Sequence, residues 1–313
     1  MVSKKMLDLG TKRSVIRDIF EYGSMLAKEI GAENVLDFSL GNPSTPAPRE
    51  VANTIKYMVE ELSPKEYNSY TSSAGNTDTR IAVAKNLNKR FATDYNENNI
   101  FMTCGAAASL NIIFKAIIES GDDEIIVNIP YFPEYKVFIE GQGGKPVFAK
   151  CSENLHLDID EIESKINENT KAVLINSPNN PSGVIYPKEN LEELAELLKQ
   201  KQKEYSHPIF LISDEPYREL VFTNEKPEFL PNIYDNTLVA YSWSKSLSLP
   251  GERIGYILVP NKVENHEDVF AAVGGAARVL GYVCAPSMFQ YVIKNCVDAQ
   301  PNIEVYRTNR NIL

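Results

Sequence analysis

Apolar positions recur along this chain in two spacings that trade places. Residues 14–30 repeat them with a helical period, and a short apolar run over 35–40 follows. The loop Gly41-Asn42-Pro43-Ser44-Thr45-Pro46 comes next, and Pro48 opens a second helix with Val51, Ile55, Met58, Val59 and Leu62 on one face. A polar, turn-rich loop over 67–76 exposes Tyr70 before a helix carrying Ile81, Val83, Ala84 and Leu87. From residue 100 the alternation becomes regular. Strand-like runs are expected at 100–103, 124–129, 146–150, 171–176, 209–213, 237–240 and 254–259. Helical segments fall at 110–118, 133–142, 159–166, after Pro187, at 267–280 and at 286–297, with one more beginning near the end. Strands alternating with helices predict an α/β fold: a three-layer sandwich around a mostly parallel sheet.

Composition narrows the function classes. With 313 residues, 43% of them hydrophobic and 24% charged, the chain reads as a globular body with a smaller lobe. A net charge of −10 argues against nucleic acid or an anionic membrane as a partner. The four cysteines are widely spaced with no CxxC pair, which fits a reducing, cytoplasmic setting and gives no zinc site. No apolar run reaches transmembrane length, the opening MVSKKMLDLG is not a secretory signal, and P-loop and GxGxxG motifs are missing.

In open α/β sheets ligands bind beyond the carboxyl ends of the strands, so the residues following each run carry the chemistry. They are Gly105-Ala106-Ala107, Pro130-Tyr131-Phe132, Asn179-Asn180-Pro181-Ser182-Gly183, Asp214-Glu215-Pro216-Tyr217 and Ser242 through Lys245. The segment YSWSKSLSLPGER sets Lys245 among hydroxyls, with Arg253 eight residues on, which pairs an amine with groups suited to a phosphate. An anion-binding helix start, an aromatic face, an amide, a carboxylate with a phenol and an amine match the needs of pyridoxal 5′-phosphate.

The motifs LGNPS, YTSSAG, TCGAAASL, PYFPEY, NSPNNPSG, ISDEPY and SWSKSLSLPGERIGY stand in one order from about residue 14 to the end. In that order the chain resembles the fold-type I, class I/II aminotransferases, similar to aspartate aminotransferase and its relatives. The resemblance implies a cofactor held as a covalent aldimine by Lys245, which would move a proton between substrate and cofactor. Asp214 matches the carboxylate facing the pyridine nitrogen, Tyr217 and Asn180 the partners of the phenolic oxygen, and Phe132, ahead of Tyr131, the ring on the cofactor face. Ala106 and Ala107 at the helix start beside Gly105, with Ser242, Ser244 and Arg253, match the phosphate cradle. Where many relatives have a polar side chain, Ala106 and Ala107 offer backbone alone. Tyr70 matches the tyrosine that reaches the phosphate of a neighbouring subunit, which implies a homodimer. Gly41 and Asn42, with Asn180, match the substrate-binding loop positions. His156, His207 and His266 fall outside every motif.

The implied division is residues 1–45 as an N-terminal arm and small-domain segment, 46–295 as the cofactor-binding domain and 296–313 as the start of a C-terminal small domain. Relatives usually continue through a lobe whose arginine clamps the substrate carboxylate. Arg307 and Arg310 precede that position, so a truncated small domain that binds amino acids weakly is the expectation. The implied reaction is amino transfer between an L-amino acid and a 2-oxo acid by a ping-pong route. The same lysine would also support C–S or β-elimination, and a remnant with little activity is the third reading.

Overall fold

A computed structural model describes residues 2–11, 15–39 and 41–312. Ser14 and Leu40, the ends of two expected segments, lie outside the described residues. The chain divides into two compact units, residues 1–44 and 45–313. The first carries the helices Lys4–Thr11 and Val15–Ile30.

In the second unit, seven strands form one sheet: β1 (Ile100–Thr103), β2 (Glu124–Ile129), β3 (Lys145–Lys150), β4 (Thr170–Asn176), β5 (Phe210–Asp214), β6 (Thr237–Ser242) and β7 (Gly255–Leu258). Their order is β1-β7-β6-β5-β4-β2-β3. Within this sheet, among the described residues, only the β7 pairings are antiparallel. The remaining strands share one direction because helices connect them across the sheet faces. The expected α/β class with a mostly parallel sheet is the one observed.

Strand alternation divides the core into layers. Ile125 and Val127 of β2, Ala172 and Leu174 of β4, and Leu238 and Ala240 of β6 pack with residues of the helices Ala106–Ile117 and His266–Val279 on one face. On the other face, Ile126, Val173, Ile175 and Leu211 meet Leu191, Leu194 and Leu198 of the helix Lys188–Tyr205. Val239, Tyr241 and Tyr256 join the helices Arg49–Glu61, Thr77–Phe91 and Ser287–Cys296. Each fully buried Leu or Ile in these layers contributes roughly 1.5–3 kcal/mol of apolar burial. That apolar mass holds the carboxyl edge of the sheet rigid.

Two glycines bring the edge of the sheet close to the following helix. Gly255 opens β7 where an added Cβ would collide with the Tyr241 carbonyl oxygen and lie 2.9 Å from the Gly105 Cα. Gly105, at φ 90°, precedes the helix Ala106–Ile117 in a conformation that L side chains rarely adopt.

Candidate active site

β4, β5 and β6 are consecutive parallel neighbours, and their carboxyl ends carry Asn176, Asp214 and Ser242. Asp214 and Ser242 therefore close their strands, where the sequence pattern set them just beyond. The register puts Asn176 beside Asp214 and Asp214 beside Ala240. Asn176 ties the strand ends together: its Nδ2 donates to the Asp214 carbonyl at 2.8 Å, and its Oδ1 accepts from the Asn180 N–H at 2.7 Å. The loop bearing Asn180 is closed on itself by the Gly183 N–H donating to the Asn179 carbonyl at 2.8 Å.

The Asp214 carboxylate is buried. Its Oδ2 accepts the Tyr135 hydroxyl at 2.5 Å, while Oδ1 has no hydrogen-bond partner among the described residues. Burial raises its pKa to about 7 against the lowering effect of the Tyr135 hydrogen bond, and the nearby Glu215 adds to the rise. A buried oxygen without a donor is costly, and a cationic N–H beside Oδ1 would satisfy both its lone pair and its charge. Three residues beyond, the Tyr217 hydroxyl accepts from Asn180 Nδ2 at 3.3 Å. Burial and the Asp214 charge raise the Tyr217 pKa, and the Asn180 hydrogen bond opposes them. A cavity of about 300 Å³ opens beside Tyr217, lined in part by Asn179, Leu220 and Phe222.

Lys245 lies in the single helical turn Trp243–Ser246 that follows β6, partly buried. Burial lowers its pKa, and the Arg253 cation lowers it further, so the amine holds its proton less tightly than an exposed lysine does. Arg253, at φ 51°, donates from Nη1 to the Pro250 carbonyl at 2.9 Å. Its Nη2 comes to 2.9 Å from where a Cβ on Gly105 would stand, so the absent side chain leaves the guanidinium against the start of the helix Ala106–Ile117. The first N–H groups of that helix, Ala106 and Ala107 among them, have no acceptor within it. Ser242 and Ser244 are both buried beside this turn.

Phe132 meets the Tyr135 ring edge-on at 5.6 Å, whereas Tyr131 stacks on Phe148 at 5.0 Å. Tyr70 stands 87% exposed between two helices of the second unit. Its loop is held by Gln290, fully buried, which accepts from the Asn76 N–H at 2.6 Å and donates to Thr71 at 3.2 Å. Gly41 and Asn42 belong to the first unit and are exposed there. Tyr135, Asn176 and Gln290 had no role in the sequence reading. Tyr135 stood in the PYFPEY motif, and its position at the start of the helix Glu134–Gly141 was the one available signal.

A family model described as aminotransferase class I and II matches residues 33–312. The chain belongs to the class I and II aminotransferase family. An aminotransferase structure from Eubacterium rectale is 50% identical with a TM-score of 0.97, covering 100% of this chain and 79% of its own. The aspartate aminotransferase of Thermotoga maritima superposes with a TM-score of 0.85 at 26% identity, over 99% of this chain and 79% of that one. Among curated relatives, a putative aminotransferase of Bacillus subtilis, YugH, is 29% identical over 96% of this chain and 74% of its own length. The aspartate aminotransferase of Pyrococcus horikoshii is 30% identical over 80% of this chain and 61% of its own. The match to a probable aspartate/prephenate aminotransferase of Aquifex aeolicus likewise covers 59% of that relative. Among the described residues no helix is long and apolar enough to cross a membrane, and no three His, Cys, Asp or Glu side chains gather as a metal site would need.

Proposed function

We propose that this chain is a pyridoxal 5′-phosphate-dependent aminotransferase that moves an amino group between an L-amino acid and a 2-oxo acid in two half-reactions. The observation that carries this reading is the buried Asp214, one oxygen held by Tyr135 and the other left for a cationic N–H, at the sheet edge from which Lys245 projects its turn. Bound pyridoxal phosphate supplies an aldehyde for the amine and an electron-withdrawing ring for negative charge at the substrate Cα. Asp214 would hold the ring nitrogen protonated by offering Oδ1. Tyr217 and Asn180 would hold the phenolic oxygen, and Phe132 would supply the ring on the cofactor face. Gly105, the Ala106 and Ala107 N–H groups, Ser242, Ser244 and Arg253 would hold the phosphate. Lys245 would be the amine that meets the cofactor's aldehyde and the base that holds the proton leaving the substrate Cα, a role that its lowered pKa favours.

Tyr70 comes from a second copy in a cytoplasmic homodimer. Residues 46–295 are the cofactor-binding body, 1–45 an N-terminal arm and small-domain segment, and 296–313 the start of a C-terminal small domain. Incubating the protein with pyridoxal phosphate, a panel of L-amino acids and 2-oxoglutarate, and measuring glutamate, tests the reaction. Parallel double-reciprocal lines support two half-reactions. Release of ammonia and a 2-oxo acid with no acceptor needed would replace transfer with elimination.

A further inference from the structure

The segment that carries Asp214 and Tyr217 continues into a buried polar cluster none of whose members, among the described residues, touches the groups assigned to the reaction above except through Asp214's neighbour Glu215. The Arg218 guanidinium pairs with the Glu215 carboxylate, both side chains about 5% exposed or less. Glu215 also accepts the Ser213 hydroxyl at 2.7 Å. The Arg218 cation sits 4.8 Å from the centre of the Tyr241 ring, 5.3 Å from Phe91 and 5.4 Å from Phe229. Next to it, Glu219 pairs with Arg90 at 2.8 Å and accepts the Tyr241 hydroxyl at 2.9 Å. That hydroxyl also lies 2.9 Å from Ser246 Oγ, and since its own proton goes to Glu219, Ser246 is the donor. Ser246 directly follows Lys245.

Buried ion pairs of this kind are often no more stabilising than well-packed apolar residues of similar size, so stability alone is a weak account of this one. What the cluster does provide is direction. It links the strand end bearing Asp214 to the turn bearing Lys245 through one hydroxyl.

We propose that Tyr241 is a positioning residue for Lys245, with its hydroxyl fixing the amine-bearing turn, through Ser246, against the Glu219 end of the segment that carries Asp214 and Tyr217. The inference rests on the aminotransferase reading for what Lys245 does, but not for where Lys245 is held. Arg218 acts one step further out, clamping the Tyr241 ring.

The test compares Tyr241→Phe, Ser246→Ala and their combination with Tyr234→Phe. Tyr234→Phe removes a buried hydroxyl that donates to the Ile209 carbonyl at 2.7 Å, in the apolar layer on which the helix Lys188–Tyr205 packs. The first readout needs no cofactor: the rate at which acetic anhydride labels Lys245 in the cofactor-free protein, followed by mass spectrometry. The second is the kcat and KM of amino transfer by the loaded protein. Loss of one hydrogen bond predicts labelling accelerated about three- to tenfold and kcat reduced by a similar factor at nearly unchanged KM. The two single variants should act through one link, so the combination is no worse than either alone. Tyr234→Phe should lower the unfolding midpoint and leave both readouts where they are. The proposal is overturned if Tyr241→Phe labels like the unaltered protein, if Tyr234→Phe moves Lys245 as much, or if the Tyr241 and Ser246 effects add. Failure of the unaltered protein to take up pyridoxal phosphate would sink the aminotransferase reading instead, and the labelling comparison would still decide the positioning role.

Discussion

Replacing Asp214 by Asn isolates the electrostatic cost of the site. The folded-state pKa of Asp214 is raised to about 7 from the ordinary 3.8, with burial as the leading cause. Below the ordinary value the carboxyl is protonated in both folded and unfolded chains, and the stability it contributes is fully present. Between there and about pH 7 the unfolded chain gives up its proton while the folded one keeps it, so stability falls as pH rises. A difference of about three units at about 1.4 kcal/mol each makes the full loss about 4 kcal/mol, of which more than half falls between pH 5 and pH 8. Asn carries no charge and still offers an oxygen to Tyr135. Urea unfolding of the cofactor-free proteins at both pH values should therefore show Asp214→Asn gaining about 2–3 kcal/mol on the unaltered chain over that interval. The same variant should capture pyridoxal phosphate more weakly, because Oδ1 no longer presents a charge to the ring nitrogen. Parallel pH profiles for the two proteins would refute the claim that Asp214 is a buried carboxyl awaiting a cation.

Two other substitutions probe the elements around it. Tyr135→Phe removes the hydrogen bond that holds the Asp214 pKa down, so the pH at which stability is lost should move upward, read by the same unfolding series. Gly255→Ala forces a Cβ onto the Tyr241 carbonyl and the Gly105 backbone, neither of which can move aside like a flexible side chain. A loss of about 1–3 kcal/mol in unfolding free energy, with weaker phosphate binding, is the expected outcome by urea titration and isothermal calorimetry.

The alternation of strands and helices was legible because each strand is a short apolar run and each helix carries a periodic face. All seven strands coincide with such runs, with ends moved by a residue or two. Strand direction was not legible: the run at 254–259 looks like the others, and its antiparallel pairing with β1 and β6 depends on partners far along the chain. The candidate residues could be found because Asp214, Ser242, Lys245 and Asn180 stand at or just past apolar runs. Their supports could not. Tyr135 meets Asp214 across 79 positions, and Gln290 reaches Asn76 across 214. For Gln290 nothing local differs from an ordinary helix residue, and for Tyr135 the PYFPEY motif marks the place without the partner, since what gives each its role is the packing of one element on another. Tyr241 lies inside a quoted segment, yet its link to Glu219 exists only once β5 and β6 are adjacent.

The central claim is that one amine, that of Lys245, receives the cofactor. Mixing the protein with pyridoxal phosphate, reducing with borohydride and mapping the modified peptide by mass spectrometry tests it directly. The account predicts a single stable adduct on Lys245, lost in Lys245→Ala. An adduct spread over surface lysines, or one that survives Lys245→Ala, would contradict it.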